Sequence, residues 1–218
     1  LFTMKKINII FFLVLLMFII LTIFSVKAST GINGKVIIVD PGHGNLDPGT
    51  SYGDIYEKDI NLSISKYLEK ELIKNSAKVI MTRTADYDLA SPNSIFRKKS
   101  DFDNRIKLIN NKKVDMYISI HLNYLRNTSY YGPQVFYDKD NEKLANTIQN
   151  ELNKEFQGNR SVKRIPNDTY MYSRLKKPGI LIECGFLSNY EERNKLMEEN
   201  YQELLAKVIV HGIKKFYK

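Results

Sequence analysis

The 218-residue chain has three histidines, His43, His121 and His211, and a single cysteine, Cys184. His43 sits in a Pro41-Gly42-His43-Gly44 loop behind an apolar run, and His121 directly follows the apolar residues 114–120. Histidines at the ends of apolar runs are poor core fillers and good ligands. Glu57, in the loop entering the next helix, adds a carboxylate. Two imidazoles, a carboxylate and water form a recurrent catalytic zinc set with one position open to a reacting water. This donor set favours zinc over calcium or magnesium, which take all-oxygen shells. The three residues are scattered and do not form a compact HExxH motif. Glu183 is the sharper anomaly, because it interrupts the apolar strand Ile180-Leu181-Ile182-Glu183-Cys184. A buried carboxylate is costly unless paired or ligated. Such a break in a core strand marks either a catalytic group or the partner of a structural arginine. Cys184 follows a carboxylate, which raises a thiol pKa, and reads as a core residue. His211, alone near the chain end, reads as a helix-surface or core residue.

These side chains need a frame. Residues 35–40 (KVIIVD), 78–83, 114–120, 134–137 and 179–184 read as strands. Ile60, Ile64, Leu68 and Leu72 mark a helix over 58–75. Leu144, Ile148, Leu152 and Phe156 mark another, and Leu204, Leu205, Val208, Ile209 and Phe216 line a last one. Ser100 with Asp103, and Ser188 with Glu191, resemble capping pairs for two further helices. Strands alternating with helices predict an α/β fold with a single mainly parallel sheet and helices on both faces. Ligands in such sheets bind beyond the carboxyl ends of the strands, where Asp40, His43, His121 and Glu183 fall.

With 33 basic and 24 acidic residues the net charge is +9, and 43% hydrophobic with 26% charged residues is ordinary for a globular chain. That composition excludes a disordered tail, a collagen-like rod and a multi-span membrane protein. The single cysteine excludes an internal disulfide framework. A mild, diffuse positive excess suits an anionic setting such as a cell wall, and the absence of any nucleic-acid-binding signature argues against DNA or RNA. Lys5 and Lys6 precede an apolar segment over 7–26, long enough as a helix to cross a hydrocarbon layer of ~30 Å. Its positive flank keeps that end in the cytoplasm, and Val26-Lys27-Ala28 resembles a cleavage site. Residues 1–28 are therefore expected to be a signal peptide or membrane anchor, 29–34 a linker, and 35–218 an exported catalytic domain.

Four segments then occur in order: Val39-Asp40-Pro41-Gly42-His43-Gly44, Glu57-Lys58, Ser119-Ile120-His121-Leu122-Asn123, and Ile182-Glu183-Cys184-Gly185-Phe186-Leu187-Ser188-Asn189. Together they resemble the zinc-dependent N-acetylmuramoyl-L-alanine amidases of the Amidase_3 type over roughly residues 35–217. The resemblance implies a six-stranded α/β sheet, zinc (Zn2+) on His43, Glu57 and His121, and an acid/base role for Glu183. Asn45, Tyr124 and Cys184 depart from the commonest family residues, and none is a ligand. Size, the N-terminal segment and the stretches 131–137 and 177–179 most resemble the short germination-specific amidases of spore formers (the CwlD type). That likeness implies cleavage of the lactyl–L-alanine amide of peptidoglycan in spore cortex, as a step towards muramic-δ-lactam. It also implies a location outside the cytoplasmic membrane, such as the forespore intermembrane space, and a germination lipoprotein as partner.

Asp40 is a candidate to hold a ligating histidine, and Asn123 to orient substrate. Arg83 and Arg105 meet stem-peptide carboxylates or form structural ion pairs. Tyr124, Tyr130, Tyr131, Tyr170 and Tyr172 are candidates to line a sugar groove. Two other readings stand beside the amidase: a zinc peptidase or deacylase on a similar scaffold, and a non-hydrolytic, membrane-tethered wall-binding protein.

Overall fold

Runs rich in valine and isoleucine become strands because β-branched side chains pack well on a pleated surface. The computed structural model describes residues 31–218, together with residues 12 and 15–17. The strands are β1 (Val36–Pro41), β2 (Ser51–Tyr52), β3 (Ile55–Tyr56), β4 (Lys78–Met81), β5 (Met116–Asn123), β6 (Gln134–Tyr137), β7 (Lys163–Arg164) and β8 (Gly179–Phe186). The helices are α1 (Glu57–Lys74), α2 (Arg97–Ile109), α3 (Glu142–Glu155), α4 (Tyr190–Leu196) and α5 (Glu199–Phe216), with a 3₁₀ turn at Tyr172–Arg174. The expected N-terminal hydrophobic segment lies almost wholly outside the described residues. No helix among the described residues is long and apolar enough to cross a membrane.

Six strands form one sheet in the order β4-β1-β5-β8-β6-β7, and β2 and β3 form a separate hairpin. The pairs β1–β4, β1–β5, β5–β8 and β6–β7 are parallel, so the expected mainly parallel sheet is present. Strand β6 runs antiparallel to β8. The reason is local: residues 124–133 contain no helix, and a parallel return needs a long crossover.

Side chains alternate across a strand, and the two faces of the sheet differ. Ile37, Val39, Ile118, Ile120, Ile182 and Cys184 point to one face, into a core shared with α1, α3 and α5. Ile38, Tyr117 and Leu181 point to the other, where α2 and residues 165–175 supply a smaller cluster. Towards the strand carboxyl ends this thinner face becomes polar at Asp40, Ser119, His121 and Glu183.

Two expected caps are corrected. Helix α2 starts at Arg97 behind Phe96, with no side-chain cap. Ser100 lies inside it, and its hydroxyl instead accepts from the Ser91 N–H. Helix α4 is capped by Asn189, whose side chain accepts from the Glu192 N–H, while Ser188 accepts from Leu125 N–H.

Candidate active site

His43 follows β1 in a left-handed backbone conformation, with φ of 64°. A non-glycine residue held there is strained, a condition concentrated at functional sites. Asn45 is also left-handed, with φ of 53°. Asparagine tolerates that region better than most residues. Two buried arginines hold the loop from beneath. Arg105 donates to the carbonyls of Pro41 at 2.9 Å and His43 at 2.8 Å. Arg83 donates to Pro41 and Gly42 carbonyls and, at 2.6 Å, to the Lys58 carbonyl at the start of α1. Arg83 thus ties the loop bearing His43 to the helix bearing Glu57. The structure makes both arginines parts of the frame; with side chains this buried, neither is a surface group meeting substrate carboxylates.

Helix α1 begins one residue earlier than its periodicity predicts, so Glu57 is its first residue and is 3% exposed. His121 is the sixth residue of β5, on the face opposite Ile120 and Leu122. His43 Nε2 lies 3.2 Å and His121 Nδ1 3.1 Å from the same oxygen, Glu57 Oε1. One ligand atom from each residue fits within a 4.8 Å group. The rings meet edge to face at 5.0 Å. Gly42 makes this possible, since a Cβ there would sit 2.2 Å from His121 Cε1. Gly49, with φ of 69°, plays the same part on the other side, where a Cβ would lie 2.5 Å from Glu57 Oε2.

The far nitrogen of His43, Nδ1, lies 3.1 Å from Asp47 Oδ1. Asp47, four residues on, is the orienting carboxylate that sequence reading missed. Its only signal was a carboxylate in the same Gly/Pro-rich loop. Asp40 does not fill that role. Its carboxylate accepts from Arg105, Thr82 and Ser119. Burial opposes its charge, and Arg105 and the two hydroxyls outweigh this, keeping its pKa below the usual value. The other oxygen of Glu57 accepts from Thr50 N–H at 2.8 Å. Oε1 also takes hydrogen bonds from Leu122 N–H at 3.0 Å and Asn61 at 3.2 Å. Burial works against Glu57's charge, and the bonds to His121 and His43 hold its pKa well below the carboxylate range. Burial likewise opposes charge on His43, and its bonds to Asp47 and Glu57 carry its pKa up to about 9.

Glu183 pairs in register with His121 across β5 and β8, so their side chains share a face. Its Oε2 is buried without any hydrogen-bond partner. The residue as a whole is of intermediate exposure, and this oxygen is shielded from water. Burial pushes its pKa up to about 7; His121 pulls it down, Glu57 pushes it up and His43 pulls it down. Among the described residues no arginine pairs with it. Cys184 is fully buried on the opposite face, its thiol pKa raised by burial and then by Glu183. His211 is exposed at the helix surface, 3.4 Å from Glu151.

A cavity of about 130 Å³ runs beside this group, lined by His43, Asp47, Arg105, His121 and Tyr172 among others. Tyr172 is buried, its hydroxyl 3.1 Å from Ser119 Oγ, so it belongs to the floor rather than to an open groove. The donor set suits a metal ion: two imidazole nitrogens and a carboxylate oxygen converge beside an unsatisfied carboxylate. The same group can ligate a Lewis acid and offer a base poised to exchange a proton near neutral pH.

Comparison with known proteins shows the family of the chain. The family model described as N-acetylmuramoyl-L-alanine amidase (Amidase_3) matches residues 37–215. The chain is 40% identical over 196 residues to the germination-specific N-acetylmuramoyl-L-alanine amidase of Bacillus subtilis, covering 87% of this chain and 82% of the relative. The CwlD amidase of Clostridioides difficile, solved in complex with the GerS lipoprotein, superposes with a TM-score of 0.78 at 38% identity, covering 84% of this chain and 98% of that one. An N-acetylmuramoyl-L-alanine amidase of Clostridium difficile 630 gives a TM-score of 0.72 at 32% identity, covering 84% and 97%.

Proposed function

The chain belongs to the N-acetylmuramoyl-L-alanine amidase family, and on that premise we propose that it cleaves peptidoglycan with a zinc ion held by His43, Glu57 and His121 and with Glu183 as general acid/base. The bond cut is the amide between the lactyl group of muramic acid and L-alanine. Zinc bound there supplies a Lewis acid that acidifies water and polarises a carbonyl. Glu183 accepts the proton of the attacking water and hands it to the departing L-alanine amine. Its pKa of about 7 leaves both protonation forms accessible at neutral pH. Asp47 holds His43 by Nδ1 and leaves Nε2 for the ion. Arg83 and Arg105 keep the loop and α1 at fixed separation. The supporting observation is the 4.8 Å group of three donors beside a carboxylate with a buried, unpartnered oxygen.

The Bacillus and Clostridioides relatives support a reading of the setting. The enzyme acts outside the cytoplasmic membrane on spore cortex, stripping stem peptides before a separate deacetylase allows muramic-δ-lactam to form. A lipoprotein is its partner. Residues 35–218 are the catalytic domain and residues 1–28 its export signal or anchor. The test uses the purified full chain with muropeptides of known structure. New free L-alanine amino termini on intact stem peptides are expected, with activity lost to a chelator and restored by zinc. Products cleaved within the stem peptide would replace this reading with a peptidase.

A further inference from the structure

Asn61 lies on α1 one turn after Glu57, on the same side of the helix, and is completely buried. Its Nδ2 donates to Glu57 Oε1 at 3.2 Å and to the Gly42 carbonyl at 3.3 Å. One amide therefore touches both the carboxylate of the donor group and the loop that carries His43. Among the described residues, Asn61 is the one side chain besides the two histidines that bonds Glu57. The other bonds to that carboxylate come from the backbone N–H groups of Thr50 and Leu122.

The orientation of this amide carries a cost. Both of its neighbours are oxygens, so the N–H side points at them, and Oδ1 is left buried with no hydrogen-bond partner. A buried acceptor without a partner destabilises a fold unless another gain offsets it. Packing does not need Nδ2 in return. The Gly42 carbonyl also accepts from Arg83 at 2.9 Å, and Glu57 Oε1 also accepts from the Leu122 N–H at 3.0 Å. Taking the amide away leaves neither acceptor bare. A polar group that breaks the rule of satisfied burial, with no structural return, points to a functional constraint.

Resting on the amidase reading, we propose that Asn61 is a positioning residue for the metal group, kept at a cost in stability. Its N–H groups orient the Glu57 carboxylate and tie it to the His43 loop, so the donors are gathered before an ion arrives. A partner that orients a ligating carboxylate raises metal affinity, because less ordering remains to be done on binding. Ser65 supplies an internal control. It lies one turn beyond Asn61 on α1, equally buried, and its hydroxyl has no hydrogen-bond partner at all. Ser65 therefore shares the cost of an unpartnered group without the contact to Glu57.

The experiment measures two quantities on the full chain: the zinc dissociation constant by competition with a chelator, and the midpoint of denaturant unfolding with zinc removed. Asn61→Leu deletes the amide with little change of shape. It is expected to weaken zinc binding about ten- to hundredfold, while the zinc-free midpoint stays level or rises. Asn61→Ala deletes the same donor and leaves a cavity, so zinc weakens by the same factor and the midpoint falls. Ser65→Ala leaves zinc affinity unchanged. Affinity then follows the donor, and stability follows the volume. The proposal is overturned by Asn61 variants that bind zinc as tightly as wild type. It is equally overturned by an Asn61→Leu chain that is less stable than wild type or fails to fold, which makes Asn61 a structural residue, or by a Ser65→Ala chain that loses affinity as Asn61→Leu does. Wild type that binds no zinc overturns the amidase reading itself, whereas tight binding by wild type and Asn61→Leu alike overturns this inference alone.

Discussion

On the sheet face towards α1, α3 and α5, β1, β5 and β8 contribute Ile37, Val39, Ile118, Ile120, Ile182 and Cys184, all fully buried. On the face towards α2 the same strands contribute Ile38, Asp40, Ser119, His121, Leu181 and Glu183. One backbone supplies both sets, because alternation sends neighbours in sequence to opposite faces. The first face is stabilised by burial alone, which is non-directional and tolerates exchange among apolar residues. The second depends on specific partners. Asp40 is satisfied by Arg105, Thr82 and Ser119, Glu57 by donors on both of its oxygens, and Glu183 keeps one oxygen unsatisfied. Stability and reactivity are thus divided between the faces, and within the polar face between satisfied and unsatisfied carboxylates.

The division can be broken most severely at the metal group. His121→Ala is expected to lose bound zinc and all measurable turnover, seen by metal analysis and product assay together. Glu183→Gln is expected to retain zinc at full stoichiometry while kcat falls on the order of 10²–10⁴-fold. A fully active Gln variant would remove the acid/base role and leave Glu183 without one.

Stability separates the faces next. Asp40→Asn breaks a buried pair whose partner Arg105 also holds the His43 loop, and should cost about 3–5 kcal/mol in denaturant unfolding, with weaker zinc retention. Leu205→Ala, on the apolar face, should cost about 2–5 kcal/mol through an unfilled cavity, with zinc content per folded molecule unchanged. Loss of zinc in the Leu205 variant would show that the faces are not independent.

The smallest effect sharpens the comparison between carboxylates. Glu183 has a folded pKa of about 7 against an ordinary 4.5. The native state therefore holds this proton more tightly than the unfolded chain. The cost of its charge is absent below about pH 4.5, grows through the window and is complete above about pH 7. With chelator present, wild type should lose up to about 3 kcal/mol relative to Glu183→Gln as pH rises through that window. A pH-independent difference would mean that Glu183 is not held in a desolvated setting.

Much of this was legible from local pattern. The apolar spacing of Ile60, Ile64, Leu68 and Leu72 gives α1 to within one residue, and the β-branched run before His121 gives β5. Glu183 stood out because it breaks an apolar strand. What escaped was set by contacts distant in sequence or by very short elements. The two-residue strands β2 and β3 carry no periodicity, and Ser100 and Ser188 look like caps until their hydroxyls find Ser91 and Leu125. Asp40, near the end of β1, and Asp47, in the loop beyond it, are both acids close in sequence to His43, and only packing assigns Asp40 to the buried arginine and Asp47 to the imidazole.

Residue type and periodicity are properties of short stretches, so the chain alone determined which segments become strands and helices and which side chains have the chemistry to bind a metal or move a proton. The approach of His43, Glu57 and His121, and the contrast between the saturated Glu57 and the unsatisfied Glu183, were decided only by tertiary structure. Distance between groups far apart in sequence, and the desolvation that shifts a carboxylate's pKa, exist only once the sheet has aligned its strand ends and α1, α2 and the loops have closed around them.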